Sequence, residues 1–273
     1  MQQKLGKYCA IALMLILGLS PILKSCTDKQ EEPKEKVSKV WLIGDSTVAN
    51  YALEEDYQSK RHPITGWGQV FQPFMSTDSI IQIRQLTDAD SLLVDDRAKG
   101  GRSTRTFFQE GRWRAVYNEM QVGDLVLMQF GHNDAAESKP ARYVNIEGYK
   151  EFLRLFINQT REKGGTPILV TPVARNYPWE DGHLQNVHGD YPDAMKAVGD
   201  EMDVLLIDLN QRSMDSFSEK GKEYVSKNYF MNLPADVYEA YPDGQDDNTH
   251  FQPEGAKEVA RLVYEEMKKI GKQ

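Results

Sequence analysis

Four short runs in this chain are apolar at every position: Val40-Trp41-Leu42-Ile43, Leu125-Val126-Leu127-Met128, Ile168-Leu169-Val170 and Val204-Leu205-Leu206-Ile207. A strand with one wet face alternates, whereas a continuous run reads as a strand covered on both faces, as in a parallel sheet. Helical periodicity fills the intervals. Tyr149, Phe152, Leu153, Phe156 and Ile157 fall on one stripe, with Gly164-Gly165 as a stop. A second helix is predicted over about 253–270, with Val259, Leu262, Val263 and Met267 on one side and Pro253 at its start. The stretch 80–98 holds two strand candidates, 80–83 and 92–94, and we assign the second to the sheet. Strands alternating with helices predict a three-layer α/β/α domain, whose active site forms beyond the C-terminal strand ends.

The first 25 residues fall outside this pattern. Lys4 and Lys7 precede an apolar run that Pro21 interrupts, too short for a comfortable membrane span, so it reads as a signal peptide. Leu23-Lys24-Ser25-Cys26 resembles a lipoprotein lipobox, although Lys24 is an awkward occupant and an ordinary cleavage site is the alternative. Residues 26–38 are almost wholly charged or polar and read as a tether. The expectation is an exported lipoprotein of a Gram-negative bacterium, anchored to the membrane through an acylated Cys26, with one domain over 39–273. Cys9 leaves with the signal peptide, so that domain contains no disulfide.

Composition excludes some function classes. Forty per cent hydrophobic and 27% charged residues suit a globular domain and no fibrous or disordered class. A formal charge of −8 argues against nucleic-acid binding, which needs a basic footprint.

Four polar segments fall where strands end or just before the last helix. Gly44-Asp45-Ser46-Thr47 follows the first strand, and a helix beginning there would place the Ser46 hydroxyl at a helix N-terminus. Lys99-Gly100-Gly101-Arg102-Ser103 follows the second, with a glycine that lets a backbone N–H approach a ligand. Gly131-His132-Asn133-Asp134 follows the third, and Asp247-Asn248-Thr249-His250 precedes the C-terminal helix. Acyl transfer needs a hydroxyl nucleophile, an imidazole base, a carboxylate that fixes its tautomer and donors for the oxyanion. Ser46, His250 and Asp247 supply the first three, with Asp243 and Asp246 as competing carboxylates; the N–H groups of Ser46 and Gly101 and the Asn133 amide supply the fourth. Each signal is weak alone and strong in this order.

Seven stretches carry a family resemblance: GDSTVA (44–49), GWGQ (66–69), GGRSTRTFFQEGRW (100–113), QFGHND (129–134), TPVARN (171–176), GDYPDAMK (189–196) and DNTHFQPEGA (247–256). With them the chain resembles the SGNH, or GDSL-like, hydrolases, specifically the rhamnogalacturonan acetylesterases of carbohydrate esterase family 12. The resemblance implies a flavodoxin-like sheet of about five strands and Ser46, Gly101, Asn133 and His250 as the defining residues. It singles out Asp247 as the third triad member. It also implies a serine esterase that deacetylates a plant cell-wall polysaccharide without cofactor or metal. The connection over 76–96 is longer than expected, and Lys99 stands where a small or apolar residue is expected.

Further residues admit two readings each. His132 either positions Asn133 or contacts substrate. Lys99, Arg102 and Arg105 could meet galacturonate carboxylates; the alternative for Arg102 and Arg105 is that they hold their own loop, and for Lys99 that it faces solvent or the site entrance. Trp179 and Tyr177 in the long loop 174–190, with Tyr51 and Tyr241, could offer flat faces to sugar rings. His183 and His188 could form a metal pair, although the spacing lacks a metal signature. Rival functions are a deacetylase of another glycan such as xylan, a small-ester hydrolase of the same fold, a glycan-binding lipoprotein without turnover, and a metal-dependent phosphoesterase.

Overall fold

The computed structural model describes residues 35–271. The signal peptide, Cys26 and most of the tether lie outside the described residues. A parallel five-stranded sheet is formed by β1 (Val37–Gly44), β2 (Ser91–Asp96), β3 (Leu125–Gln129), β4 (Thr166–Val170) and β7 (Leu205–Ile207), in the order β2-β1-β3-β4-β7. A two-stranded antiparallel hairpin, β5 (Trp179–Glu180) and β6 (His183–Leu184), stands apart within the long loop.

Two short helices, α1 (Tyr57–Lys60) and α2 (Thr77–Ile81), occupy the long β1–β2 connection, so the 80–83 candidate is the end of α2 and the turn after it, and 91–96 is the strand. Beyond β2 come α3 (Thr104–Gln109), α4 (Arg112–Glu119) and α5 (Ile146–Glu162). Next are α6 (Tyr191–Met202), α7 (Leu209–Lys220), α8 (Lys222–Asn228) and α9 (Pro253–Met267). Asn145 caps α5 by accepting from the Gly148 N–H at 2.9 Å, and Gly164 ends it with a φ of 73°.

The continuous apolar runs divide by parity, because successive strand side chains point to opposite faces. Val40 and Leu42 join Leu125, Leu127, Ile168 and Val170 in a core closed by α7 and α9. Trp41 and Ile43 join Val126, Met128 and Leu169 in a second core closed by α4, α5 and α6. Both faces are dry, so the three-layer α/β/α reading holds.

One boundary moves. β1 begins at Val37, three residues before its apolar run, because Val37 and Ser38 pair with Ser91 and Leu92 and the Lys36 carbonyl accepts from the Asp90 N–H at 2.8 Å. The last residues assigned to the tether, Val37 and Ser38, therefore belong to the first strand of the sheet.

The strand order reverses between β1 and β3, and at such a point neighbouring loops leave in opposite directions and open a crevice. The segments after β1, β2 and β3 all border it.

Candidate active site

The exit of β1 is crowded. A Cβ on Gly44 would lie 2.5 Å from the Gln129 carbonyl oxygen, so only glycine permits the approach of β1 to β3 there. The expected helix at Ser46 does not form; the chain makes one turn, with the Val48 and Ala49 N–H groups donating to the Asp45 carbonyl at 3.3 and 3.1 Å. A short 3₁₀ segment at Tyr51–Leu53 follows. The Asp45 carboxylate shapes the turn by accepting from the Thr47 N–H at 2.9 Å and hydroxyl at 2.8 Å. Gln129 Nε2 donates to Thr47 Oγ1 at 2.6 Å, Trp67 Nε1 donates to Gln129 Oε1 at 2.8 Å, and Tyr51 donates to the Ser46 carbonyl at 3.1 Å. Side chains held this way have few alternatives, so Ser46 stands on a fixed backbone.

The loop after β2 runs alongside this turn, its Lys99 N–H donating to the Gly44 carbonyl at 3.1 Å. Gly101 has a φ of 81°, a left-handed conformation that suits glycine. Among the described residues the N–H groups of Ser46 and Gly101 have no protein acceptor. Asn133 Nδ2 donates one hydrogen to the Arg102 carbonyl at 2.9 Å, which fixes the amide and leaves its second hydrogen. Below it Asp134 ties the loops together, accepting from the Thr104 N–H at 2.9 Å, its hydroxyl at 2.6 Å and the Gly131 N–H at 3.2 Å.

The imidazole sits across the cavity. His250 Nδ1 lies 2.7 Å from Asp247 Oδ2, and Asp247 Oδ1 accepts from the N–H groups of Thr249 and His250 at 2.8 and 3.1 Å. Burial alone would raise the Asp247 carboxyl, but these hydrogen bonds and the imidazole hold it below its usual value. Asp246 instead accepts from Asn248 Nδ2 at 3.1 Å, so the partner of His250 is Asp247. Asn176, Asn232 and Asn248 clamp the segment: Asn248 Oδ1 accepts from Asn176 Nδ2 at 2.7 Å and Asn232 Nδ2 at 2.9 Å, and the Asp247 N–H donates to Asn232 Oδ1 at 3.0 Å.

Ser46, Gly101, Asn133, Asp247 and His250 line one cavity of about 700 Å³. Ser46 Oγ makes no hydrogen bond among the described residues, so the Ser46–His250 link is not closed in this structure. Such links are commonly long in empty sites and tighten around substrate.

Two carboxyls beneath the cavity are shifted upward. Burial pushes Asp45 to about 6 and Asp134 to about 7 against their hydrogen bonds to Thr47 and Thr104.

Several expected contacts are corrected. Trp179 offers no face to the cavity; it packs on the α7/α9 core and its Nε1 donates to Asn176 Oδ1 and carbonyl at 3.1 and 3.0 Å. A partly buried indole still seeks a partner for its N–H, and here both the ring and its N–H turn toward the protein. Arg102 borders the cavity, but its guanidinium is held by Glu110 at 3.0 Å and the Gly100 carbonyl at 2.7 Å. Arg105 donates to the Pro140 carbonyl at 2.7 Å, and Lys99 pairs with Glu54 at 2.7 Å. All three cations are thus engaged by protein partners. Tyr177 is exposed and accepts from Arg175 at 2.7 Å, whereas Tyr51 and Tyr241 do line the cavity.

His132 turns toward His188 and Arg175. Arg175 Nε can only donate, so His132 Nδ1 accepts from it at 3.3 Å and from His188 Nε2 at 3.0 Å. That leaves His132 protonated on Nε2, a buried donor without a partner. Burial drives His188 down to about 3 and His132 well below its ordinary value, aided by Arg175, so both are neutral. His183 lies on the exposed hairpin, apart from His188. Among the described residues no group of three or more His, Cys, Asp or Glu side chains could hold a metal ion. Arg175, His188, Lys139 and Arg142 also line the cavity, and motif reading passed over them as cavity residues because nothing local in sequence marks what a loop folds back to touch.

A hydroxyl on a tight turn, an Asp-paired imidazole and converging amide donors at the edge of a three-layer sheet define an acyl-transferring hydrolase. The chain belongs to the GDSL-like lipase/acylhydrolase family, whose model matches residues 42–257. It is 39% identical over 237 residues to rhamnogalacturonan acetylesterase RhgT of Bacillus subtilis (strain 168), covering 87% of this chain and 92% of the relative. It is 38% identical over 233 residues to the probable rhamnogalacturonan acetylesterase YesY of the same strain, covering 85% and 93%. Among solved structures, protein YxiM of Bacillus subtilis superposes with a TM-score of 0.68 at 26% identity, over 86% of this chain and 57% of the other. The acetylxylan esterase Axe2 of Geobacillus stearothermophilus gives 0.53 at 17% identity, over 85% and 95%, a likeness of fold alone.

Proposed function

We propose that this chain is a serine esterase that removes O-acetyl groups from a pectic polysaccharide of the rhamnogalacturonan type. The observation that carries the reading is the Asp247–His250 pair facing the same cavity as Ser46 and the unengaged amides. Ser46 Oγ attacks the acetyl carbonyl while His250 Nε2 takes its proton, and Asp247 stabilises the imidazolium. The oxyanion meets the N–H groups of Ser46 and Gly101 and Asn133 Nδ2. His250 returns the proton to the departing sugar hydroxyl, and water, deprotonated by the same imidazole, releases acetate from Ser46.

The similarity to RhgT and YesY supports rhamnogalacturonan as the polymer, and a fold likeness at 17% identity gives no comparable support to xylan. Acetate release is measured on acetylated rhamnogalacturonan, acetylated xylan and p-nitrophenyl acetate, for wild type and Ser46→Ala. We expect the first polymer to be preferred and the variant to be inactive with an unchanged melting temperature. Turnover by Ser46→Ala, or preference for xylan, contradicts the reading.

We further infer export and lipid attachment at Cys26 from the lipobox-like Leu23-Lys24-Ser25-Cys26. A labelled fatty acid fed to expressing cells should mark the wild-type chain and not Cys26→Ser; equal marking of both refutes the anchor.

A further inference from the structure

The cavity is more basic than the molecule around it. The chain carries a formal charge of −8, yet Arg61, Lys99, Arg102, Lys139, Arg142 and Arg175 border the cavity against the acidic side chains of Glu54 and Asp247. Most of that positive charge is already engaged. Glu54 takes Lys99 and Arg61 at 2.7 and 3.4 Å, Glu110 takes Arg102 at 3.0 Å, and Arg175 donates to His132 and Tyr177.

Two cations remain. Neither Lys139 nor Arg142 makes a salt bridge or side-chain hydrogen bond among the described residues, and the buried Arg142 Nε has no partner. Both stand on the β3–α5 loop, which is built to hold still. The Arg142 and Tyr143 N–H groups donate to the Lys139 carbonyl at 3.0 Å, Val144 N–H donates to the Asp134 carbonyl at 3.1 Å, and Arg105 pins the Pro140 carbonyl. A methyl group on Gly101 would lie 3.3 Å from Arg142 Nη1, so the guanidinium stands beside an expected oxyanion donor. Holding a partly buried guanidinium without a counter-ion is costly unless an anion arrives to meet it. A planar fork of donors matches a carboxylate in bidentate fashion.

We propose that Arg142, flanked by Lys139, is a carboxylate-binding site that recognises a uronate in the polysaccharide beside the acetylated sugar. The proposal rests on the deacetylase reading and names the group by which a pectic chain is told from a neutral one. Arg142 is a specificity residue here; the acyl chemistry stays with Ser46 and His250.

The test uses acetylated, galacturonate-containing oligosaccharides and a carboxyl-reduced counterpart matched in acetyl content, with p-nitrophenyl acetate as a report on the acyl centre. Wild type should prefer the native oligosaccharide, and the preference should shrink as salt screens it. Arg142→Ala should lower kcat/KM on the native substrate on the order of 10- to 100-fold, chiefly through KM, and bring the native-to-reduced ratio towards one. Arg142→Lys should keep part of the ratio, and Lys139→Ala, on an exposed residue, should reduce it less. Equal wild-type rates on both oligosaccharides would overturn the carboxylate site while leaving the deacetylase standing. A fall in p-nitrophenyl acetate turnover by Arg142→Ala as large as that on the native substrate would place the guanidinium at the acyl centre and also overturn it. No turnover of either oligosaccharide would remove the deacetylase reading and the proposal with it. If Arg142→Ala fails a thermal melt, the Arg142→Lys and Lys139→Ala ratios decide, and unchanged ratios refute the proposal.

Discussion

Asn133 has two amide hydrogens, and one is spent on the Arg102 carbonyl. That bond aims the other, so a single side chain is both positioned and positioning. Asn133→Ala should lower kcat by about 10²–10³, the usual loss for one oxyanion donor, with KM little changed; a variant with wild-type kcat would remove Asn133 from the donor set. Asp134 lies one residue on and makes a prediction about stability. Its folded pKa, about 7, is raised above the unfolded value by burial, so the folded state binds more protons between about pH 4 and 7. Its contribution is present below the unfolded pKa and lost as pH rises through the folded one. Urea unfolding at pH 5 and pH 8 should therefore show a loss on going to pH 8 that is smaller in Asp134→Asn, by roughly 1–3 kcal/mol. An identical pH response in both proteins would show that Asp134 ionises normally. At this scale the residues with a chemical signature, Ser46, Asp247 and His250, were legible in sequence. Arg142 and His188 were not, because their significance lies in what faces them across space.

The segment 65–70 shows how elements, rather than side chains, set the distance between nucleophile and base. The Thr65 N–H donates to the Phe251 carbonyl at 2.9 Å, next to His250, while the Trp67 and Gly68 N–H groups donate to the Thr47 and Val48 carbonyls at 2.9 Å. Backbone of one segment thus bridges the Ser46 turn and the Asp247–His250 segment, the two halves of the proposed triad. A Cβ on Gly66 would fall 2.3 Å from the Ala49 carbonyl oxygen and 2.5 Å from that of Val48, neither of which can move without shifting the nucleophile turn. Gly66→Ala should cost about 1–3 kcal/mol, read from the urea midpoint, and lower kcat more than a surface glycine change would. Gly182→Ala provides the contrast, since nothing stands within 4 Å of a Cβ there, although its φ of 81° strains any side chain. Hydropathy located the sheet strands and the long helices because burial on both faces leaves a plain pattern. It missed the start of β1 at Val37 and the β5–β6 hairpin, where main-chain pairing and local turns decide and few apolar residues are involved. The GWGQ stretch stood out as a motif, but its bridging role comes from peptide groups that carry no letter in a sequence.

Across the whole molecule, charge is segregated. An acidic exterior surrounds a cavity whose basic side chains outnumber its acidic ones, an arrangement that resists non-specific association with polyanions while concentrating positive potential at the mouth of the site. Composition alone announced the acidic exterior and concealed the basic interior, because a sum over 273 residues carries no position.

The backbone bridge through residues 65–68 also bears on how this enzyme can drift. Contacts made by peptide groups do not depend on the side chains above them, so replacement endangers the bridge chiefly at Trp67, which is buried and donates to Gln129, and at its two glycines. At Gly66 and Gly68 any added carbon meets an atom at 2.4 Å or closer. Random mutagenesis with selection for growth on acetylated pectin should therefore accept almost no replacement at Trp67 or at those two glycines.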